Sequence, residues 1–206
     1  MPRRTPQPRT AGTRRRRDRA ALLAVASGAG GVLLLAGLLL LWLGPVPRAP
    51  APFEATAHLV ASDGKPIDAR RYRLVYFGYS QCRDICPPTL AAMAAALEAL
   101  GPKGARVQPL FVTVDPARDT PAVLHAFLAP ISPLLVGLTG PPEAIAAAAR
   151  AFHVTHLIHA AAIGDDYTID HSSVLFLLDP AGRLVAPLPA DLGPAALARR
   201  LDLLVA

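Results

Sequence analysis

Thiols are scarce in this chain, two cysteines among 206 residues, so no set of bridges staples the fold and the domain must stand on its own buried core. Once the N-terminal segments described below are set aside, about 150 residues remain, enough for one such core. Methionine is as rare, with two copies, which excludes a methionine-rich tract for gathering soft metal ions. No segment repeats at a fixed period, and solenoids are excluded with it. The thiol pair lacks the Cys-x-x-Cys spacing usual for rapid disulfide exchange. Acidic residues are outnumbered, 15 against 21 Lys and Arg, but the excess sits in one tail that holds Arg3, Arg4, Arg9, Arg14 to Arg17 and Arg19. Basicity gathered beside an apolar run is a topological signal, not the basic face of a nucleic-acid-binding domain.

No charge interrupts residues 20–43, a stretch long enough to cross a bilayer. After it only Arg48 is basic until Lys65. The positive-inside bias therefore predicts a cytoplasmic tail over 1–19, a single-pass anchor over 20–43 in the cytoplasmic (inner) membrane, and a domain on the periplasmic or extracytoplasmic side. A cleaved signal peptide is the alternative, since Ala49-Pro50-Ala51 mimics a small-x-small site. The apolar run is longer than an ordinary signal core, however, and Pro52 would follow the cut. A twin-arginine signal matches poorly, because four arginines stand in a row. Residues 44–52, dense in proline, predict a semi-rigid spacer, and 53–206 the folded domain.

Within that domain the pattern predicts strands over 54–61 and 71–79 around the turn Ser62-Asp63-Gly64-Lys65-Pro66, the second with Leu74, Val75, Tyr76 and Phe77 in succession. A helix follows, opened by Pro87 or Pro88 and stopped near Gly101-Pro102. Further strands are expected over 107–115 and 134–138, with helices from Pro121 to about 129 and from about 141 to 152. Two strands then flank a turn near Gly164-Asp165, and a strand over 173–179 turns at Pro180-Ala181-Gly182 into 184–186. Pro194 starts a final amphipathic helix. Strands alternating with helices and ending in a late hairpin predict an α/β mixed sheet flanked by helices, of thioredoxin-like form.

Cys82 and Cys86 are separated by three residues, and on a helix such residues share a face, so the sulfurs can converge. A thiolate pair selects soft metals, Cu(I) foremost. The location, between a buried strand and a helix N-terminus, is one where the helix dipole favours anionic sulfur. Two thiolates suffice for nearly linear Cu(I), whereas Cu(II) prefers more ligands and an imidazole nitrogen. His171, before the apolar strand 174–178, is the candidate third ligand. The alternative is a strand-end histidine that bonds to backbone.

Several runs together resemble the Sco (SCO1/SenC) family of copper chaperones for cytochrome c oxidase. They are Tyr76-Phe77-Gly78-Tyr79-Ser80, then Cys82 and Cys86-Pro87 with Asp84 between, then the run from Val114 to Pro121, Gly137-Leu138-Thr139-Gly140, Asp170-His171-Ser172, and Asp179-Pro180-Ala181-Gly182. A Cys-x3-Cys-Pro followed far downstream by Asp-His-Ser is more specific than either alone. The resemblance implies a thioredoxin-like fold, copper as Cu(I) or Cu(II) held by Cys82, Cys86 and His171, and an N-terminal anchor. It implies Asp84 and Asp170 as supporting groups around the ligands. Delivery to the copper-site subunit of cytochrome c oxidase is implied too, with other copper carriers or thiol–disulfide partners beside it. Asp115 and Arg118 are read as ordering the Asp-Pro turn. Gln81 and Arg83 depart from the residues common in that family, histidine and proline.

His153, His156 and His159 fall three apart. On a regular strand His153 and His159 share a face and His156 points away, so one three-histidine site is not expected. His58 and His125 are read as structural, and Met93 as core. Two other functions compete with copper delivery: an extracytoplasmic thiol–disulfide oxidoreductase, and a peroxiredoxin-like peroxidase. A distant imidazole ligand separates the first of these from a carrier, because dithiol exchange has no use for one.

Overall fold

The computed structural model describes residues 52–160 and 167–206. Three parallel strands form the centre of its sheet: β2 (Tyr72–Gly78), β3 (Val107–Thr113) and β4 (Val136–Thr139). Both β2 and β3 are apolar along nearly their whole length and almost wholly buried, as expected for parallel strands covered on both faces. Antiparallel strands complete the sheet. The short β1 (Val60–Ala61) lies beside β4, and β7 (Val174–Leu178) pairs with β2 and with β8 (Leu184–Pro189), giving the order β1-β4-β3-β2-β7-β8. A separate antiparallel ribbon, β5 (His156–Ala160) with β6 (Tyr167–His171), precedes β7. The mixed, helix-flanked architecture is the expected one.

Four helices are described: α1 (Cys86–Ala99), α2 (Pro121–Leu128), α3 (Pro142–Ala151) and α4 (Pro194–Leu204). Each carries proline in its first turn, where the ring presets φ and the lost N–H had no partner within the helix. Thr120 caps α2 by accepting the Val123 N–H at 3.3 Å. Helix α1 ends at Gly101, whose φ of 56° is left-handed. Helices α1 and α2 cover one sheet face, meeting Gly78 and Phe111 through Cys86 and Phe127, and α4 packs on α1. Phe152, at the end of α3, covers the other face against Phe77 and Phe176, with centroids 5.2 and 5.1 Å away.

One expected strand is largely replaced. Residues 54–61 form a 3₁₀ turn over Glu54–Thr56, and only Val60 and Ala61 pair in the sheet. The Thr56 hydroxyl donates to the Phe53 carbonyl at 2.8 Å, which closes the chain locally. Phe53 stacks 3.7 Å beneath the buried Arg73 guanidinium instead of extending as a strand. The strand expected from 134 starts at Val136. Residues 1–51, which include the expected tail and anchor and all but the last residue of the spacer, lie outside the described residues, as do residues 161–166, which include the turn expected near Gly164-Asp165. Among the described residues no helix is long and apolar enough to cross a membrane.

Because Phe77 is fully buried between Phe152 and Phe176, Phe77→Ala is expected to destabilise the domain by about 3–5 kcal/mol. Urea unfolding of the full-length chain checks this, with the midpoint falling at unchanged slope.

Candidate metal centre

The site forms at the carboxyl ends of the central strands. β2 ends at Gly78, and the loop 79–85 leads to Cys86, the first residue of α1. Glycine at 78 is a steric requirement, since a Cβ there would stand 2.6 Å from Cys86 Sγ and 2.7 Å from the Phe111 ring. The helix can bring its first sulfur onto the sheet only because that side chain is missing. The Cys82 N–H bonds the Tyr79 carbonyl at 3.2 Å and tightens the loop so that Cys82 also faces inward. Its relative exposure is 8%, that of Cys86 zero, and both are free thiols.

From the other side β6 ends at His171, whose Nε2 lies 3.4 Å from Cys86 Sγ. The two sulfurs and one ring nitrogen all fall within 4.8 Å of one another. His171 Nδ1 lies 3.3 Å from the Ser172 carbonyl, a contact that places the proton on Nδ1 and leaves the Nε2 lone pair towards the sulfurs. The rings of Tyr76 and Tyr79 stand edge-on to the imidazole at 5.9 and 6.1 Å.

Burial sets the protonation states. It pushes the Cys86 thiol well above the ordinary thiol range, Cys82 adds to the rise, and the Tyr79 backbone N–H works against it. Burial also lowers the His171 pKa, partly offset by the Ser172 carbonyl and by Asp170. At neutral pH the site therefore presents a neutral imidazole and a protonated Cys86. The expectation that the helix N-terminus would favour anionic sulfur does not hold for Cys86. Pro87 and Pro88 remove two N–H donors from the first turn, and the Thr89 N–H is taken by the Ile85 carbonyl.

Two carboxylates that follow β3 hold both halves in place. Asp119, fully buried, accepts the Ser80 N–H at 3.0 Å, the Thr113 hydroxyl at 2.6 Å and the Ser80 hydroxyl. Asp115 forms an ion pair with Arg118 and accepts the Tyr167 hydroxyl at 2.6 Å. Arg118 lies 3.6 Å over the Tyr167 ring and donates to its carbonyl at 3.1 Å. Asp119 thus anchors the cysteine loop, and Asp115 with Arg118 anchors the strand that carries His171. The Tyr79 hydroxyl joins the halves by accepting the Ile169 N–H at 3.2 Å. From sequence, Asp115 and Arg118 are expected only to order their turn; Asp119, Tyr76 and Tyr79 are motif members without an assigned role, and Tyr167 is not singled out.

Other expectations need correction. Asp170 makes no hydrogen bond to His171, because successive strand residues alternate faces; it pairs with His159 at 2.8 Å, and it raises the His171 pKa through its charge alone. The Ser172 carbonyl takes over the fixing of the tautomer. Asp84, Arg83 and Gln81 are exposed along the rim of a cleft beside Cys82. His153 is not on a strand: it follows α3 with φ 55°, so the parity expected of the three histidines applies only from His156 onwards. His58 and His125 are exposed and away from the site, and Met93 is core.

A sequence model of SCO1/SenC matches residues 47–206. The chain belongs to the SCO1/SenC family. It is similar to Protein SenC of Rhodobacter capsulatus, 48% identical over 108 residues, which takes in 52% of this chain and 48% of that one. Mitochondrial Protein SCO1 of Saccharomyces cerevisiae is 40% identical over 117 residues, 56% of this chain and 40% of that one. The chain thus spans about half the length, or less, of these curated relatives. Among solved structures, Bradyrhizobium japonicum ScoI with copper bound matches with a TM-score of 0.64 at 33% identity, over 71% of this chain and 95% of that one. Yeast Sco1 with copper bound matches with a TM-score of 0.63 at 33% identity, over 70% and 83%.

In this SCO1/SenC chain Asp119→Ala leaves the Ser80 and Thr113 donors without their acceptor. It is expected to cost about 2–3 kcal/mol and to loosen the cysteine loop. Iodoacetamide should then alkylate the reduced thiols faster than in the parent chain under native conditions, whereas an unchanged rate would show that Asp119 does not hold the loop.

Proposed function

We propose that this domain is a copper carrier. It holds the ion through Cys82, Cys86 and His171 and passes it by ligand exchange to the dinuclear copper site of cytochrome c oxidase, whose copper-site subunit is the partner. The observation that carries this reading is the convergence of two sulfurs and a neutral imidazole nitrogen within 4.8 Å. That donor set suits soft copper, and the nitrogen extends it to Cu(II). Family membership and the copper-bound relatives support the choice of metal.

The run 20–43 serves in this reading as a single membrane anchor, 44–52 as spacer and 53–206 as the carrier domain on the extracytoplasmic side. Tethering donor and acceptor to one membrane raises their effective concentration without adding affinity. The same dithiol can first reduce the acceptor's cysteines. Its sulfurs then end as a disulfide while the acceptor's disulfide takes up two electrons and two protons, and an external dithiol reductant must return Cys82 and Cys86 to thiols before copper is loaded. Reduction as the whole function fits less well, because a buried, protonated Cys86 is a slow nucleophile and dithiol exchange has no need of an imidazole brought from a distant strand, whereas Cu(II) does.

Copper titrated into the reduced full-length chain tests this. The parent chain is expected to bind one Cu(II) with a thiolate-to-copper charge-transfer band, and His171→Ala to lose that band while keeping Cu(I) on its two sulfurs. Equal Cu(II) affinity and an identical spectrum in the variant would remove His171 from the ligand set. Since capture expels the Cys86 proton, apparent affinity should rise with pH, about tenfold per unit through this thiol alone between pH 6 and 8. Chelator competition at several pH values measures it, and a flat profile would mean that Cys86 is already ionised.

A further inference from the structure

His156 and His171 are direct partners across the β5–β6 ribbon. Residues opposed in this way project to one face, with Cβ atoms about 4.5–5.5 Å apart. His171 stands between two compartments. On its inner side is Cys86, and on its outer side is a cleft of ≈ 260 Å³ lined by Thr155, His156, Leu157, Asp170, His171 and Ser172. His156 is exposed there, while Cys86 is sealed from solvent.

The register at this pair is locked. The Thr155 N–H donates to Ser172 Oγ at 3.0 Å, the two hydroxyl oxygens lie 3.2 Å apart, and the Ser172 N–H donates to the Thr155 carbonyl at 3.0 Å. These bonds clamp the ribbon next to the two histidines, so their backbone register is fixed before any ion arrives. His159 belongs elsewhere, on the opposite face with Asp170.

Ligand exchange needs an incoming donor that reaches the ion before the outgoing one lets go; Cys82 borders its own cleft, but Cys86 is sealed from solvent, so on the His171 side a donor must come from the ribbon. Two imidazoles make a competent but weaker site for Cu(II) than one that includes thiolates. We propose that His156 is the exchange ligand of this site: when the His171 ring turns its Nε2 outward from Cys86, the two imidazoles form an outer station that holds copper on its way to and from Cys82 and Cys86. The inference rests on the copper-carrier reading, and names the route by which that cargo moves.

Stopped-flow mixing of Cu(II) with the reduced full-length chain and with His156→Gln tests the route. The charge-transfer band should appear roughly tenfold more slowly in the variant, and copper should leave for a chelator more slowly by a similar factor, with final spectrum and affinity unchanged. Equal rates would overturn the proposal, and so would a changed final spectrum, which would make His156 a permanent ligand. A second arm uses Cys82→Ser/Cys86→Ser, which keeps both histidines. Paramagnetic resonance at one equivalent of Cu(II) should show a signal split by two nitrogens, absent when His156→Gln is added. No such difference would overturn the station, whether or not the thiols bind copper. A missing charge-transfer band in the parent chain beside a positive second arm would sink the carrier reading alone.

Discussion

The turn that follows β3 carries the constraint on which the site depends. Its two carboxylates, four residues apart, are both almost fully buried, and each reaches a different half of the centre. Asp119 gathers donors from Ser80 and Thr113 and so ties the cysteine loop to the strand next door. Asp115, through Tyr167 and Arg118, ties down the ribbon that ends in His171. A buried carboxylate is costly unless its lone pairs are used, and here each oxygen has a partner. The distance between sulfur and imidazole is thus set by a third element that touches neither.

The chemistry inside this frame follows from burial. A sealed thiol keeps its proton and a shielded imidazole loses its own, so neither Cys86 nor His171 brings a charge that needs a counter-ion. A cation that enters displaces thiol protons and supplies the positive charge which stabilises the resulting thiolates. Proton release on loading and proton uptake on delivery make the exchange reversible, as a carrier requires. A dithiol built for attack on disulfides would be ionised beforehand, with helix N–H groups aimed at it, and Pro87 and Pro88 remove those groups.

Much of this was legible in the sequence, and the rest was hidden for identifiable reasons. The α/β order could be read because proline marks every described helix start and because β2 and β3 are continuous apolar runs. Spacing and residue type were enough to single out the three side chains that meet. The strand expected over 54–61 failed because Thr56 closes a local hydrogen bond and Arg73 offers Phe53 a stacking partner, the second a long-range contact that no local pattern encodes. Asp170 acts on His171 through charge alone, because adjacency in sequence means opposite faces on a strand. The pairing of His156 with His171 depends on a register that is set by Thr155 and Ser172.

X-ray absorption at the copper edge of the loaded full-length chain bears most directly on the central claim. Two sulfurs and one nitrogen around the Cu(II) ion, with the nitrogen lost in His171→Ala, is the result this account predicts. A shell of nitrogen and oxygen alone, unchanged by that substitution, would contradict it.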